Sequence, residues 1–135
     1  MTRESLRALL HDARTIAVVG CSAKPERPSN GVARYLQRAG YRMVPVNPGH
    51  AAILGERCYP TLAAAARDLT IDIVDVFRRR DAAGAVVDEA IAIRPRLIWL
   101  QVGVVDEAAY TRAGAAGIPC VMDRCLAVEH ELLAN

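Results

Sequence analysis

Short apolar runs alternate along this chain with amphipathic segments, and the two periods are easily told apart. Leu6, Leu9, Leu10 and Ala13 recur at helical spacing behind Thr2, a good N-cap residue, which predicts a helix ahead of any sheet. TIAVVG, Thr15 to Gly20, is β-branched and apolar on both faces, the pattern of a strand covered by helices on either side. Ser29 or Asn30 is placed to cap the next helix, which turns Val32, Ala33 and Leu36 inward and ends at Gly40. RMVPV, Arg42 to Val46, is the second strand. Asn47, Pro48 and Gly49 open a longer connection, after which Thr61 begins a short Ala-rich helix. IVDVF, Ile73 to Phe77, is the third strand. Asp81 is the expected cap of a helix that carries Val86, Val87, Ala90, Ile91 and Ile93 and stops at Pro95. LIWLQVG, Leu97 to Gly103, is the fourth strand, and Asp106 and Gly117 bracket the helix after it. PCVMD, Pro119 to Asp123, is the fifth strand, and a short helix from about Leu126 to Leu133 completes the pattern.

Strands alternating with helices pair in parallel through right-handed crossovers. The fold class predicted is therefore α/β, a Rossmann-like three-layer sandwich around a five-stranded parallel sheet, with the strand order 3-2-1-4-5 expected. Ligands of such sheets lie beyond the carboxyl ends of the strands where the order reverses, here between strands one and four. The segments predicted to meet there are Gly20 to Asn30, Asn47 and Pro48, Phe77 to Arg80, and Gln101 to Gly103.

Composition bounds this picture. With 135 residues, 53% of them hydrophobic and 24% charged, the chain has the material for a full core, so residues 1–135 are read as one domain and disorder is excluded. The longest apolar runs are a few residues long and charge interrupts the N-terminal segment, so neither a transmembrane helix nor a signal peptide is expected, and a cytoplasmic location is. Cys21, Cys58, Cys120 and Cys125 are accordingly read as reduced thiols. No pair has C-x-x-C spacing and His11, His50 and His130 are far apart, so no metal is expected. Seventeen basic against fifteen acidic residues leave +2, too little to suggest nucleic acid, so any cationic site must be local.

The most informative segment is the connection after strand one, GCSAKPERPSN, about ten residues where two to six are usual. It supplies the hydroxyls of Ser22 and Ser29, the cations Lys24 and Arg27, a close backbone at Gly20 and the N-terminus of a helix, a combination that suits a phosphate or diphosphate. A solvated loop with Ser29 as a plain helix cap is the rival account. Two familiar phosphate fingerprints fail on inspection. G-x-G-x-x-G is absent, since Gly20 stands alone, and the end of strand two carries Asn47-Pro48 in place of the carboxylate that holds a ribose in NAD sites. G-x-x-x-x-G-K-[ST] does not occur.

Taken in order, IAVVGCSAKPERPSNGVARYL, YRMVPVNPG, LGERCYPTL, DIVDVFRR, WLQVG and MDRCLAVEH resemble the small stand-alone CoA-binding proteins of bacteria and archaea. The domain of that family is similar to the CoA-binding domain of the succinyl-CoA synthetase α-subunit and of NDP-forming acyl-CoA synthetases. The resemblance runs from about Leu9 to Leu133. It implies coenzyme A or an acyl-CoA as bound ligand, with Gly20, Cys21, Ser22, Lys24 and Arg27 around the diphosphate, Asn47 and Pro48 bordering the adenosine, Phe77 and Arg78 closing over the nucleotide, and Gln101 along the pantetheine path. The synthetases act through further domains with a phosphorylatable histidine and a nucleotide grasp, and this chain has neither, so the resemblance implies binding and not catalysis. An NAD(P)- or nucleotide-dependent enzyme of the same fold is the alternative. The expected partner is a small molecule rather than nucleic acid or membrane, and a regulatory protein partner is a third reading.

Other conspicuous residues have plainer readings. Consecutive residues Arg78, Arg79 and Arg80 cannot all enter one crevice, and Arg78 is the one expected to face a ligand. A helix N-terminus and cations near Cys21 are conditions that lower a thiol pKa, although a small inert residue is the simpler account. Asp123, Arg124, Cys125, Glu129 and His130 gather after strand five, but Cys125 and His130 are five residues apart on a helix and off one face. No catalytic residue is therefore assigned, and an Arg124 to Glu129 ion pair accounts for the cluster. Trp99 and Tyr35 are expected in the core.

Overall fold

The computed structural model describes residues 1–134. Helix α1 (Arg3–Asp12) precedes β1 (Thr15–Val19), which is followed by α2 (Pro28–Arg38) and β2 (Arg42–Val46). Two short strands, β3 (Ala52–Ile53) and β4 (Glu56–Arg57), lead into α3 (Leu62–Asp68), β5 (Ile73–Val76) and α4 (Arg80–Ile93). The chain continues through β6 (Leu97–Leu100), α5 (Glu107–Ala115), β7 (Cys120–Val121) and α6 (Leu126–Ala134). Thr2, Thr61 and Asp106 cap α1, α3 and α5 by accepting backbone N–H bonds from Ser5, Ala64 and Ala109. Ser29, Asn30 and Asp81 do not cap: α2 starts earlier than expected, behind Arg27, because Pro28 is pre-set for a first helical turn, and α4 starts behind Arg79.

The parallel sheet has the order β2-β1-β5-β6-β7. Counting only the five strands foreseen, that is 2-1-3-4-5, and the expected order 3-2-1-4-5 is overturned. The physical reason lies after β2. Val46 bridges to Tyr59, Tyr59 donates to the Pro45 carbonyl at 3.0 Å, and Asn47 donates to the Tyr59 carbonyl at 2.9 Å. The chain thus covers the outer edge of β2 itself, and β5 pairs with the free side of β1, Ile16 to Val19 against Ile73 to Val76. Order therefore reverses between β1 and β5, not between strands one and four. The β3–β4 hairpin responsible has two residues per strand, too few to show a period of two.

Alternation within the strands fills both faces. Ala17, Val19, Val44, Val46, Val74, Val76, Ile98 and Leu100 pack against α3, α4 and α5. Ile16, Val18, Met43, Ile73, Leu97 and the fully buried Trp99 pack against α1, α2 and α6. Trp99 also satisfies its indole N–H on the Arg124 carbonyl at 2.8 Å, a tie between β6 and the start of α6.

Asp75 breaks this pattern. It stands in the middle of β5 between Val18 and Trp99 of the flanking strands, is fully buried, and among the described residues neither carboxyl oxygen has a hydrogen-bond partner. Desolvation holds its carboxyl well above the usual range, so the native protein keeps it protonated where the unfolded chain would ionise it. A raised native pKa makes the residue a growing liability as pH climbs past the unfolded value of about 3.9, by up to about 1.4 kcal/mol per pH unit until the native pKa is reached. Asp75→Val is therefore expected to stabilise the fold by about 1–3 kcal/mol where the carboxyl is neutral in both states, and by progressively more as pH rises above about 4. Urea denaturation of both proteins across pH 3.5 to 8 measures it, and a pH-independent difference contradicts the account.

Candidate functional site

The reversal point puts the ends of β1 and β5 side by side, and Gly20 is what lets them meet. Its φ is +86°, and a Cβ built there would lie 2.0 Å from the Phe77 carbonyl oxygen and 2.5 Å from Nη1 of Arg78. No other residue fits, because both the backbone conformation and the space exclude a side chain. Phe77 N–H in turn donates to the Val19 carbonyl at 2.9 Å. Gly20 and the Phe77-Arg78 pair therefore form one floor.

Beyond Gly20 the loop is tied into shape by its own polar residues. Ser22 N–H donates to Ser29 Oγ at 2.9 Å, Lys24 N–H to Ser22 Oγ at 3.1 Å, and Asn30 Nδ2 to the Ser22 carbonyl at 2.9 Å. Arg34 Nε holds Asn30 Oδ1 at 2.9 Å while its guanidinium reaches the Pro25 carbonyl at 3.1 Å. Ser29 and Asn30 are thus buried ties, and sequence reasoning missed Arg34 entirely; its place two turns into α2, one turn past Asn30, is the only sequence signal. Lys24 and Arg27 remain exposed, their charges uncommitted among the described residues. Arg27 is the N-cap of α2 yet makes no side-chain cap bond, and the first turn holds no acid, so the positive end of the helix dipole is left uncompensated. The cleft bounded by Gly20, Ser22, Lys24, Arg27, Pro28, Ser29 and Phe77 has a volume of about 360 Å³. It is an anion cradle by composition.

A second, more apolar cleft of about 590 Å³ adjoins it through Pro28 and Phe77. Val32, Val102, Val104, Gln101 and Cys125 line it, with Arg78, Arg79 and Arg80 along one side. Of the three arginines, Arg78 is half-buried against Gly20, Arg79 pairs with Asp81 at 3.5 Å, and Arg80 Nε donates to the Gly103 carbonyl at 2.8 Å. Gln101 borders the cleft but is nearly buried, and its Oε1 accepts the Leu126 N–H at 3.1 Å, so it also caps α6. Asn47 lines neither cleft: its side-chain amide donates to the Cys21 carbonyl at 2.8 Å, joining the end of β2 to the loop, with Pro48 exposed beside it.

Cys21 takes the plainer of its two readings. Cys21 is fully buried, and desolvation, helped by Cys58 and Asp75 nearby, pushes its pKa up to about 12 rather than down. The cations that would have lowered it point to solvent. Cys125 and His130 part company: Cys125 lines the apolar cleft, whereas His130 Nδ1 meets the Tyr35 hydroxyl at 2.7 Å, and burial lowers the histidine pKa. Arg124 and Glu129 are 4.0 Å apart, a loose pair.

Three comparisons bear on this geometry. A Bacillus subtilis (strain 168) relative, the uncharacterized protein YneT, is 36% identical over 129 residues, covering 96% of this chain and 94% of that one. The Thermus thermophilus structure of cell-free ID.343 is 43% identical with a TM-score of 0.90, covering 98% of this chain and 99% of that one. The dinucleotide-forming acetyl-coenzyme A synthetase 1 of Ca. Korarchaeum cryptofilum shares the fold at 21% identity and a TM-score of 0.72, with 82% of this chain matching 26% of that one. The family model described as "CoA binding domain" matches residues 14–131, from the residue before β1 into α6 and so across both clefts, and the chain belongs to that CoA-binding family.

Proposed function

We propose that this protein binds CoA or an acyl-CoA at the carboxyl ends of β1, β2, β5 and β6, and that it does no chemistry on it. The observation that carries the reading is the continuity of the two clefts. A polyanionic head suits the cradle of Gly20, Ser22, Lys24 and Arg27, and a long uncharged arm suits the apolar cleft that adjoins it at Pro28 and Phe77. In this reading the diphosphate lies on the loop amides and the start of α2, with Cys21 a packed neighbour. The adenosine lies beside Asn47 and Pro48, Phe77 and Arg78 close over it, and pantetheine passes Gln101. The NAD(P) alternative lacks a carboxylate at the end of β2, where the Asn47 amide is already committed to the loop.

Ligand identity is read from thermal unfolding. A ligand at a hundred times its dissociation constant adds about 2.7 kcal/mol, which raises the melting temperature of a chain this size by several degrees. CoA is expected to do so and NAD or NADP at equal concentration is not; the reverse result would replace this reading with the dehydrogenase-like one. The loop's share is read by titration calorimetry. Charge-assisted bonds to phosphate contribute about 1.5–3 kcal/mol, so Lys24→Ala and Arg27→Ala are each expected to weaken CoA roughly ten- to a hundredfold. Both side chains are exposed, so stability should change by about 0.5 kcal/mol or less. Arg112, paired with Asp88 on the far side of α4, is the control, and equal affinities across all three variants would remove the diphosphate from this loop.

Inertness is tested directly. Purified protein given acyl-CoA with ATP or GTP is expected to leave both intact, because the thiol in the apolar cleft and the one nearby imidazole serve different places. Hydrolysis that survives repurification and vanishes in Cys125→Ser would make this an enzyme.

A further inference from the structure

The two edges of the sheet are treated differently. The edge at β2 is covered by its own chain through Tyr59, whereas β7 at the other edge is open. Ile98 pairs with Cys120 in the parallel ladder and donates to the Pro119 carbonyl at 3.0 Å, so the N–H and C=O of Cys120 itself point away from the sheet. Two adjoining grooves, of about 450 and 570 Å³, share Met1, Tyr110 and Cys120 along this edge. Glu129 and Leu133 of α6 line the larger one, which places Val128 and Leu132 on the next strip of the same helix. Among the described residues five large apolar side chains are exposed: Met1 and Tyr110 line these grooves, Val128 and Leu132 stand on the outer side of α6 next to Glu129 and Leu133, and Val102 belongs to the cleft already described. Natural sheets seldom leave an open edge beside exposed apolar side chains without a use for it.

Charge identifies the occupant. Arg3 of α1 and Glu129 of α6 border the same groove on the same face of the sheet; among the described residues Arg3 has no ion-pair partner, and Glu129 has only the loose contact with Arg124 at 4.0 Å. A two-fold axis normal to the sheet at Cys120 keeps each face on its own side, so Arg3 of each copy meets Glu129 of the other, and the two Cys120 residues exchange both backbone hydrogen bonds. We propose that this surface is a homodimer interface in which β7 pairs with β7 of a second copy, joining two five-stranded sheets into one.

Sedimentation velocity on the full chain up to about 0.2 mM should show a species of twice 14.6 kDa. Leu132→Glu and Tyr110→Glu, both on the surface, should raise the dimer dissociation constant at least about tenfold while circular dichroism stays unchanged. Cys120→Pro removes the outward N–H and should do the same, and hydrogen exchange at that amide should slow as concentration rises. Arg3→Glu and Glu129→Arg should each be monomeric alone and associate when mixed, since both charge pairs between positions 3 and 129 across the mixed dimer are then attractive. A chain that stays monomeric at the highest concentration overturns the proposal, including in favour of a different protein partner. So does a dimer indifferent to Leu132→Glu and Tyr110→Glu, whatever the proline variant does.

Discussion

Everything at the carboxyl end of this sheet depends on how closely β1 and β5 approach at Gly20. Two parallel strands sit at ladder distance over Ile16 to Val19, and the chain of β1 must then leave the sheet without colliding with Phe77. A residue with a Cβ would need to occupy space taken by the Phe77 carbonyl, 2.0 Å away, in a backbone conformation that side chains disfavour. Only because that position is glycine does the loop start flat against Phe77 and Arg78. Lys24, Arg27 and the start of α2 then border one small cleft, with Arg78 along the cleft that adjoins it.

A second layer of constraint keeps the loop from collapsing once it has left. Ser22, Ser29, Asn30 and Arg34 satisfy one another and the loop backbone, and Asn47 fastens the whole to the end of β2. These bonds are made by the chain's own groups. In the binding mode proposed above, a loop held in this way would lose less conformational freedom when an anion arrives, so more of the interaction free energy would appear as affinity. The shape of the loop does not rest on the exposed side chains of Lys24 and Arg27, which in the proposed binding mode would be free to serve the ligand.

Against this economy Asp75 stands out. A protonated, unpartnered carboxyl in the centre of a sheet lowers stability, and it lies within electrostatic reach of the Cys21 thiol at the head of the site. Together with Cys58, whose thiol meets the Asn47 carbonyl at 3.3 Å, it makes the underside of the loop a place of buried, neutral, weakly polar groups. Burial holds the Cys21 and Cys58 thiols above their usual range, and a thiol that stays protonated is a poor nucleophile.

The local elements were legible in the sequence because strands covered on both faces and amphipathic helices leave unmistakable periods. Every strand of the main sheet, the caps at Thr2, Thr61 and Asp106, and the inward faces of the helices could be read from residue spacing alone. The residues brought to the sheet's carboxyl end could also be named, since parallel βα units put every such loop on the same side. What spacing could not carry was the neighbour of each strand. Pairing of β5 with β1 was decided by a two-residue hairpin and by Tyr59 covering the edge of β2, contacts too short or too distant in sequence to leave a period. The double duty of Gln101, the ties made by Asn47 and Arg34 and the raised pKa of Cys21 have the same origin: each is set by atoms that only the packed chain brings together, at separations where hydrogen bonding and desolvation act and sequence distance has no bearing.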